Sequence, residues 1–123
     1  PQLIVTSPLY RTLQTTTIAF EHLNIPMIAN PDIQETKAGI LDCDTGIEAE
    51  ILKKKFPNVV MDHLEKNWYL PQVNVETRIQ RFKKWLNERK EQIIVVVSHA
   101  VSKLMSHNRN IGYYTLNDPR CTI

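Results

Sequence analysis

Apolar positions are grouped in blocks along this chain, and two of the blocks predict buried strands. The first runs over Leu3–Val5 and stops at the polar Thr6, and the second runs over Ile93–Val97 and stops at Ser98. Uninterrupted, largely β-branched runs of this kind are typical of strands that are buried on both faces of a parallel sheet. Ligands bind at the carboxyl ends of the strands in such sheets, so the polar residues after each run mark a candidate site.

Two further segments have the spacing of amphipathic helices. One is predicted from about Leu9 to His22 and the other from about Val75 to Lys90. The apolar positions expected to face inward in the first helix are Leu13, Ile18, Phe20 and Leu23. Those expected to face inward in the second are Val75, Ile79, Phe82, Trp85 and Leu86, with Arg78, Arg81, Lys83, Lys84 and Glu88 outside.

The remaining segments complete an α/β order. Residues 26–46 are polar and irregular and are predicted as a loop, and Asp44 or Thr45 is expected to cap a helix over about 47–56. Residues 59–68 fit either an extended piece or a helical turn. A helix is predicted to begin at Val101, and Ile111–Leu116 is predicted as a final strand near a sheet edge.

Composition narrows the class of protein. With 123 residues, 42% hydrophobic and 23% charged, the chain predicts one compact globular domain over 1–123. The net charge of +2 is too small to indicate nucleic-acid binding, although a slightly basic pocket suits an anionic substrate. Two cysteines are too few for a disulfide framework and favour a cytoplasmic location. No apolar run approaches a membrane span or a signal peptide, so no membrane partner is expected.

Three motifs give the chain a recognisable order. Thr6–Arg11, followed by Gln14 and Thr15, resembles the Ser-Pro-Leu-x-Arg-x-x-Gln-Thr signature of the histidine phosphatase superfamily, also called phosphoglycerate-mutase-like. Val97–Ala100 resembles the late Ser-His-Gly motif of that superfamily. Ile33–Glu35, with a glycine four residues later, resembles its Leu-x-Glu…Gly element. The resemblance covers essentially the whole chain.

The resemblance implies a three-layer α/β/α fold with a mostly parallel sheet. It also implies that the N-terminal part of the domain is missing, because the Arg-His-Gly turn that opens the family pattern does not occur in this sequence. The histidine of that turn is the nucleophile of the family. We therefore expect these residues to need a preceding segment or a partner chain, and we expect the open sheet edge to favour self-association.

The resemblance also assigns roles to individual residues. It implies that Arg11 and Ser7 bind the phosphoryl group and that His99 is a second catalytic histidine that stabilises charge in the transition state. It implies that Glu35 is the proton donor to the leaving oxygen. Without the resemblance, Arg11 fits a surface position in a first helical turn, His99 a structural position at a strand end, and Glu35 a solvated loop position.

The resulting hypothesis is a phosphomonoester hydrolase that acts on a phosphorylated small molecule through a phosphohistidine. A phosphatase is favoured over a mutase because the middle loop departs from the mutase pattern after Glu35. No metal or other cofactor is expected, since the carboxylates around Cys43 lack the spacing of a zinc or EF-hand site. The alternatives are an inactive relative that binds a phosphorylated ligand or partner, and an interaction module that uses the basic helix over about 75–90.

Overall fold

The computed structural model describes residues 1–34, 46–69 and 74–99 in full and the backbone of 110–116. Five strands and three α-helices lie in these ranges of the chain. The elements in chain order are β1 (Leu3–Thr6), α1 (Tyr10–Phe20), β2 (Met27–Ala29), α2 (Ala49–Lys55), β3 (Val59–Val60), α3 (Val75–Asn87), β4 (Ile93–His99) and β5 (Asn110–Leu116). Two short 3-10 helices, Glu21–Leu23 and Pro31–Ile33, flank β2.

The five strands form one sheet in the order β3-β2-β1-β4-β5, and every neighbouring pair is parallel. In the centre of the sheet, Ile4 of β1 lies opposite both Met27 of β2 and Val95 of β4. The prediction of a mostly parallel sheet is confirmed, and β5 lies at an edge as the sequence predicted. All carboxyl ends in such a sheet point to one side, so the polar residues after β1 and β4 meet at the same edge.

Side chains alternate between two apolar cores, one on each face of the sheet. On one face, Ile4 and Val97 pack with Leu13 of α1 and Leu52 of α2. On the other face, side chains from β1 and β4 pack against α3. These side chains are Leu3, Val5, Ile94 and Val96 from the strands, and Phe82 and Leu86 from the helix. The two helix layers that enclose the sheet confirm the predicted α/β/α arrangement, and the double burial explains the continuous apolar runs.

The buried face of α1 differs from the prediction. Ile18 and Leu23 were expected to face inward, but their exposed fractions are 81% and 45%. Instead, Thr12 and Thr16 are fully buried beside Leu13. The period of the helix was therefore recognised, and Leu13 and Phe20 pack toward the core as expected. The inner face also carries hydroxyl groups that hydrogen-bond within the fold.

The loop predicted over 26–46 contains a strand that the sequence pattern did not reveal. Strand β2 is only three residues long, Met27–Ala29, and is followed by a 3-10 helix over Pro31–Ile33. An apolar run this short carries no periodicity, so only its pairing with β1 and β3 defines it. The side chain of Asn30 accepts a hydrogen bond from the backbone N–H of Asp32 at 2.9 Å and starts the 3-10 helix.

Helix boundaries follow local capping. Asn74 caps α3 by accepting a hydrogen bond from the N–H of Thr77 at 2.8 Å, and the helix ends at Asn87, three residues before the predicted end. Helix α2 begins at Ala49 with Glu48 as its N-cap, so the predicted cap at Asp44 or Thr45 lies outside the described residues. The predicted helix from Val101 lies outside them as well. Within the described ranges, no helix has the length and hydropathy needed to cross a bilayer.

Candidate functional site

The ends of β1 and β4 bring the first and last motifs of the sequence together. Thr6 is in register with Val97, and the N–H of Ser7 donates to the carbonyl of Val97 at 3.0 Å. This bond extends the pairing of the strands to the point where β1 turns into α1. Ser7 therefore lies beside His99, the last residue of β4, although they are far apart in sequence.

Three side chains form one hydrogen-bonded cluster at this edge. Arg11 Nη2 lies 3.0 Å from His99 Nδ1, and His99 Nε2 lies 3.0 Å from Ser7 Oγ. A guanidinium group can only donate, so Nδ1 of His99 is the acceptor and carries no proton. The proton of the neutral ring is therefore on Nε2, from which it is donated to Ser7. The cluster fixes both the orientation and the tautomer of His99.

Burial and charge keep His99 neutral. The ring is fully buried, and this burial, together with the positive charge of Arg11, lowers the pKa of His99 to about 3. Removal from water disfavours the imidazolium, and the nearby guanidinium disfavours it further. An anion bound between Arg11 and His99 would act in the opposite direction. The arrangement is therefore suited to a group that carries negative charge.

The comparison with known families agrees with this geometry. The family model of the histidine phosphatase superfamily (branch 1) matches residues 1–112. The chain belongs to this superfamily. The match spans all three motifs on which the resemblance was based, and it confirms that interpretation at the level of the family. A comparison with curated proteins returned no match.

The third superfamily motif is anchored to the end of β4. Ser98 Oγ donates to the carbonyl of Ile33 at 2.9 Å, and both residues are buried. Arg78 Nη1 donates to the carbonyl of Gln34 at 3.4 Å. The sequence predicted Arg78 on the outside of its helix. That prediction was wrong, because this contact with the loop leaves only 9% of the residue exposed. The structure thus fixes the backbone up to Gln34, while Glu35 lies outside the described residues.

Replacing Ser98 with alanine is expected to destabilise the fold by about 1–3 kcal/mol, because the buried carbonyl of Ile33 loses its hydroxyl donor. Urea-induced unfolding of the Ser98→Ala variant measures the loss. Thr17→Ala is the control, since the Thr17 hydroxyl oxygen is buried without a hydrogen-bond partner among the described residues. An equal loss in both variants would contradict the role given to the Ser98 hydroxyl.

A separate cavity of about 500 Å³ lies along α3 and the ends of β2 and β3. Two arginines of its wall are paired with carboxylates: Arg81 Nε donates to Asp32 at 2.8 Å, and Arg89 Nη2 lies 2.9 Å from Glu91. Ser7, Arg11 and His99 do not line this cavity. The buried cluster at the end of β4 is therefore a distinct site.

The side chain of Trp85 illustrates how the walls of this cavity are built. The sequence placed Trp85 in the core, but it is half-buried and lines the cavity. Its ring stacks on Phe82 with centroids 5.9 Å apart, and the guanidinium of Arg89 lies 5.1 Å from its centroid. Among the residues that the structure describes, no three His, Cys, Asp or Glu side chains gather in one place.

Proposed function

We propose that this protein binds the phosphoryl group of a phosphomonoester between Arg11 and His99 and takes part in its hydrolysis. The observation that supports the proposal is the hydrogen-bonded cluster of Ser7, Arg11 and His99 at the carboxyl edge of the sheet. A guanidinium group matches the geometry of phosphate oxygens, and its position at the start of α1 adds helical N–H groups that favour an anion. Membership of the superfamily supports the same chemistry.

In the proposed reaction, a histidine attacks phosphorus, forming an N–P bond while the bond from phosphorus to the ester oxygen breaks. Glu35 gives its proton to the departing oxygen. Water then attacks phosphorus, the N–P bond breaks, and the released proton returns to Glu35. Arg11 and His99 hold the equatorial oxygens and stabilise the charge that develops on them. No Arg-His pair occurs among the 123 residues, so we assign the nucleophile to a segment or chain beyond them.

Binding of inorganic phosphate is the direct test of the anion site. Phosphate at saturating concentration is expected to raise the melting temperature of the protein, because a ligand that binds the folded state stabilises it. The Arg11→Ala variant is expected to lose most of this shift. Lys84→Ala removes a cation from the exposed side of α3 and is expected to keep the shift. An unchanged shift in Arg11→Ala would place phosphate elsewhere and overturn the proposal.

The second candidate is an inactive relative that binds a phosphorylated ligand without turnover. It is motivated by the same absence of an Arg-His pair in the sequence. Incubation of the intact protein with p-nitrophenyl phosphate separates the two functions, since only a phosphatase releases p-nitrophenol. Acid-labile, base-stable labelling of the protein would identify the phosphohistidine. Phosphate binding with neither product favours the second candidate.

A further inference from the structure

A second hydroxyl group faces the ring of His99, beside that of Ser7. Thr12 Oγ1 lies 3.5 Å from His99 Nε2, and Ser7 Oγ lies 3.0 Å from the same atom. Both hydroxyl-bearing residues are fully buried. Because Nε2 carries the only proton of the neutral ring, this proton is shared by two acceptors, with Ser7 as the nearer one.

The position of Thr12 is itself fixed by buried hydroxyl groups. Thr16 Oγ1 donates to the carbonyl of Thr12 at 2.7 Å and lies 2.9 Å from Thr6 Oγ1 at the end of β1. These contacts join α1 to β1 one helical turn beyond Thr12. They also explain why α1 turns threonines inward while Ile18 is exposed. Leu13 faces inward with these threonines, so the buried face of α1 combines apolar side chains with hydroxyl groups.

We propose that Thr12 is a positioning residue for His99, whose hydroxyl accepts part of the Nε2–H hydrogen bond and holds the ring in place. Arg11 holds Nδ1 from one side, while Ser7 and Thr12 hold Nε2 from the other. The signature that this sequence matches leaves position 12 open, so it gives no role to this residue. The consequence for phosphate binding rests on the function proposed above, whereas the hydrogen bond itself does not.

The test is NMR observation of the His99 Nε2–H proton in the intact protein without ligand. Thr12→Val keeps the shape of the side chain but removes the hydroxyl group. It is expected to shift this resonance and to speed the exchange of the proton with solvent at least about threefold, since one acceptor is lost. Thr12→Ser is expected to restore the wild-type signal. Thr17→Val, on the same helix, removes a hydroxyl oxygen that has no hydrogen-bond partner among the described residues and is the matched control.

The affinity for inorganic phosphate gives the second measurement. A ring held less firmly is expected to bind phosphate about two- to threefold more weakly in Thr12→Val, with recovery in Thr12→Ser. Because Ser7 and Thr12 share one proton, Ser7→Ala combined with Thr12→Val is expected to weaken binding by more than the product of the two single effects.

Several results would overturn the proposal. One is a Nε2–H signal in Thr12→Val that matches the signal in Thr17→Val. Another is a failure of Thr12→Ser to restore the wild-type signal. Either result would assign Thr12 to packing alone. If wild-type protein binds no phosphate, the proposed function fails, but the Nε2–H signal still decides the role of Thr12. Should Thr12→Val fail to fold, Thr12→Ala is used in its place, because alanine is tolerated in helices and also lacks the hydroxyl group.

Discussion

Acidification from pH 7 to pH 4 is expected to lower the free energy of unfolding by a few kcal/mol through His99 alone. Its pKa in the folded protein is about 3, whereas an unfolded histidine titrates near 6.5. Between these values the unfolded chain binds a proton that the folded chain does not, so stability falls as the pH falls. The slope is at most about 1.4 kcal/mol per pH unit, and it levels off below the folded pKa.

Urea-induced unfolding at a series of pH values between 7 and 4 measures this slope. His99→Gln removes the titrating ring, so we expect the slope to become shallower by about 1 kcal/mol per pH unit. His22→Gln, which removes an exposed histidine, is the matched control for the substitution. Identical slopes for wild type and His99→Gln would show that the imidazole is not kept neutral by the fold.

This pH dependence has a direct link to the proposed ligand. A phosphate dianion placed beside Arg11 and His99 would favour the imidazolium and raise the pKa of His99. The guanidinium disfavours that state in the ligand-free cluster, in which Arg11 donates to Nδ1. Under the proposed function, the site would therefore combine a cation that attracts the ligand with a base whose proton affinity increases when the ligand arrives.

The strands that carry the site could be predicted from the sequence because their signal is local. An apolar run such as Ile93–Val97 is long enough to indicate a buried strand by itself, and parallel pairing then places the following residues at a common edge. That reasoning brought Arg11 and His99 to the same edge, where the structure places them 3.0 Å apart. Strand β2, with three residues, lacks a local signal and is defined only by its partners.

The details of the site depend on contacts that no local pattern encodes. Arg78 is buried because its guanidinium reaches the carbonyl of Gln34, forty-four positions away, and nothing in the helical period of α3 indicates that contact. In the same way, Thr12 and Thr16 look like weak helix formers in the sequence. In the structure, their hydroxyl groups contact His99 and Thr6. Polar residues on an inward helical face are the one signal that could have revealed this network.

His99→Gln is expected to lower the turnover of a phosphomonoester by about 10²–10³-fold in the intact protein. Removing one preorganised donor from a site of developing oxyanion charge has an effect of this size. Glutamine keeps a hydrogen-bonding side chain of similar length but cannot take a positive charge when the phosphoryl oxygens approach. The loss should therefore fall mainly on kcat, while KM and phosphate affinity change by less than about tenfold, since Arg11 still supplies the cation.

Steady-state kinetics with p-nitrophenyl phosphate measure the split between kcat and KM, and His22→Gln serves as the matched control. A fall in affinity with kcat unchanged would make His99 a binding residue only. Full activity in His99→Gln would remove it from the reaction altogether. The geometry of the cluster argues against both of these outcomes. A fully buried imidazole held at both ring nitrogens is oriented in advance, and preorganised groups act most strongly in the transition state.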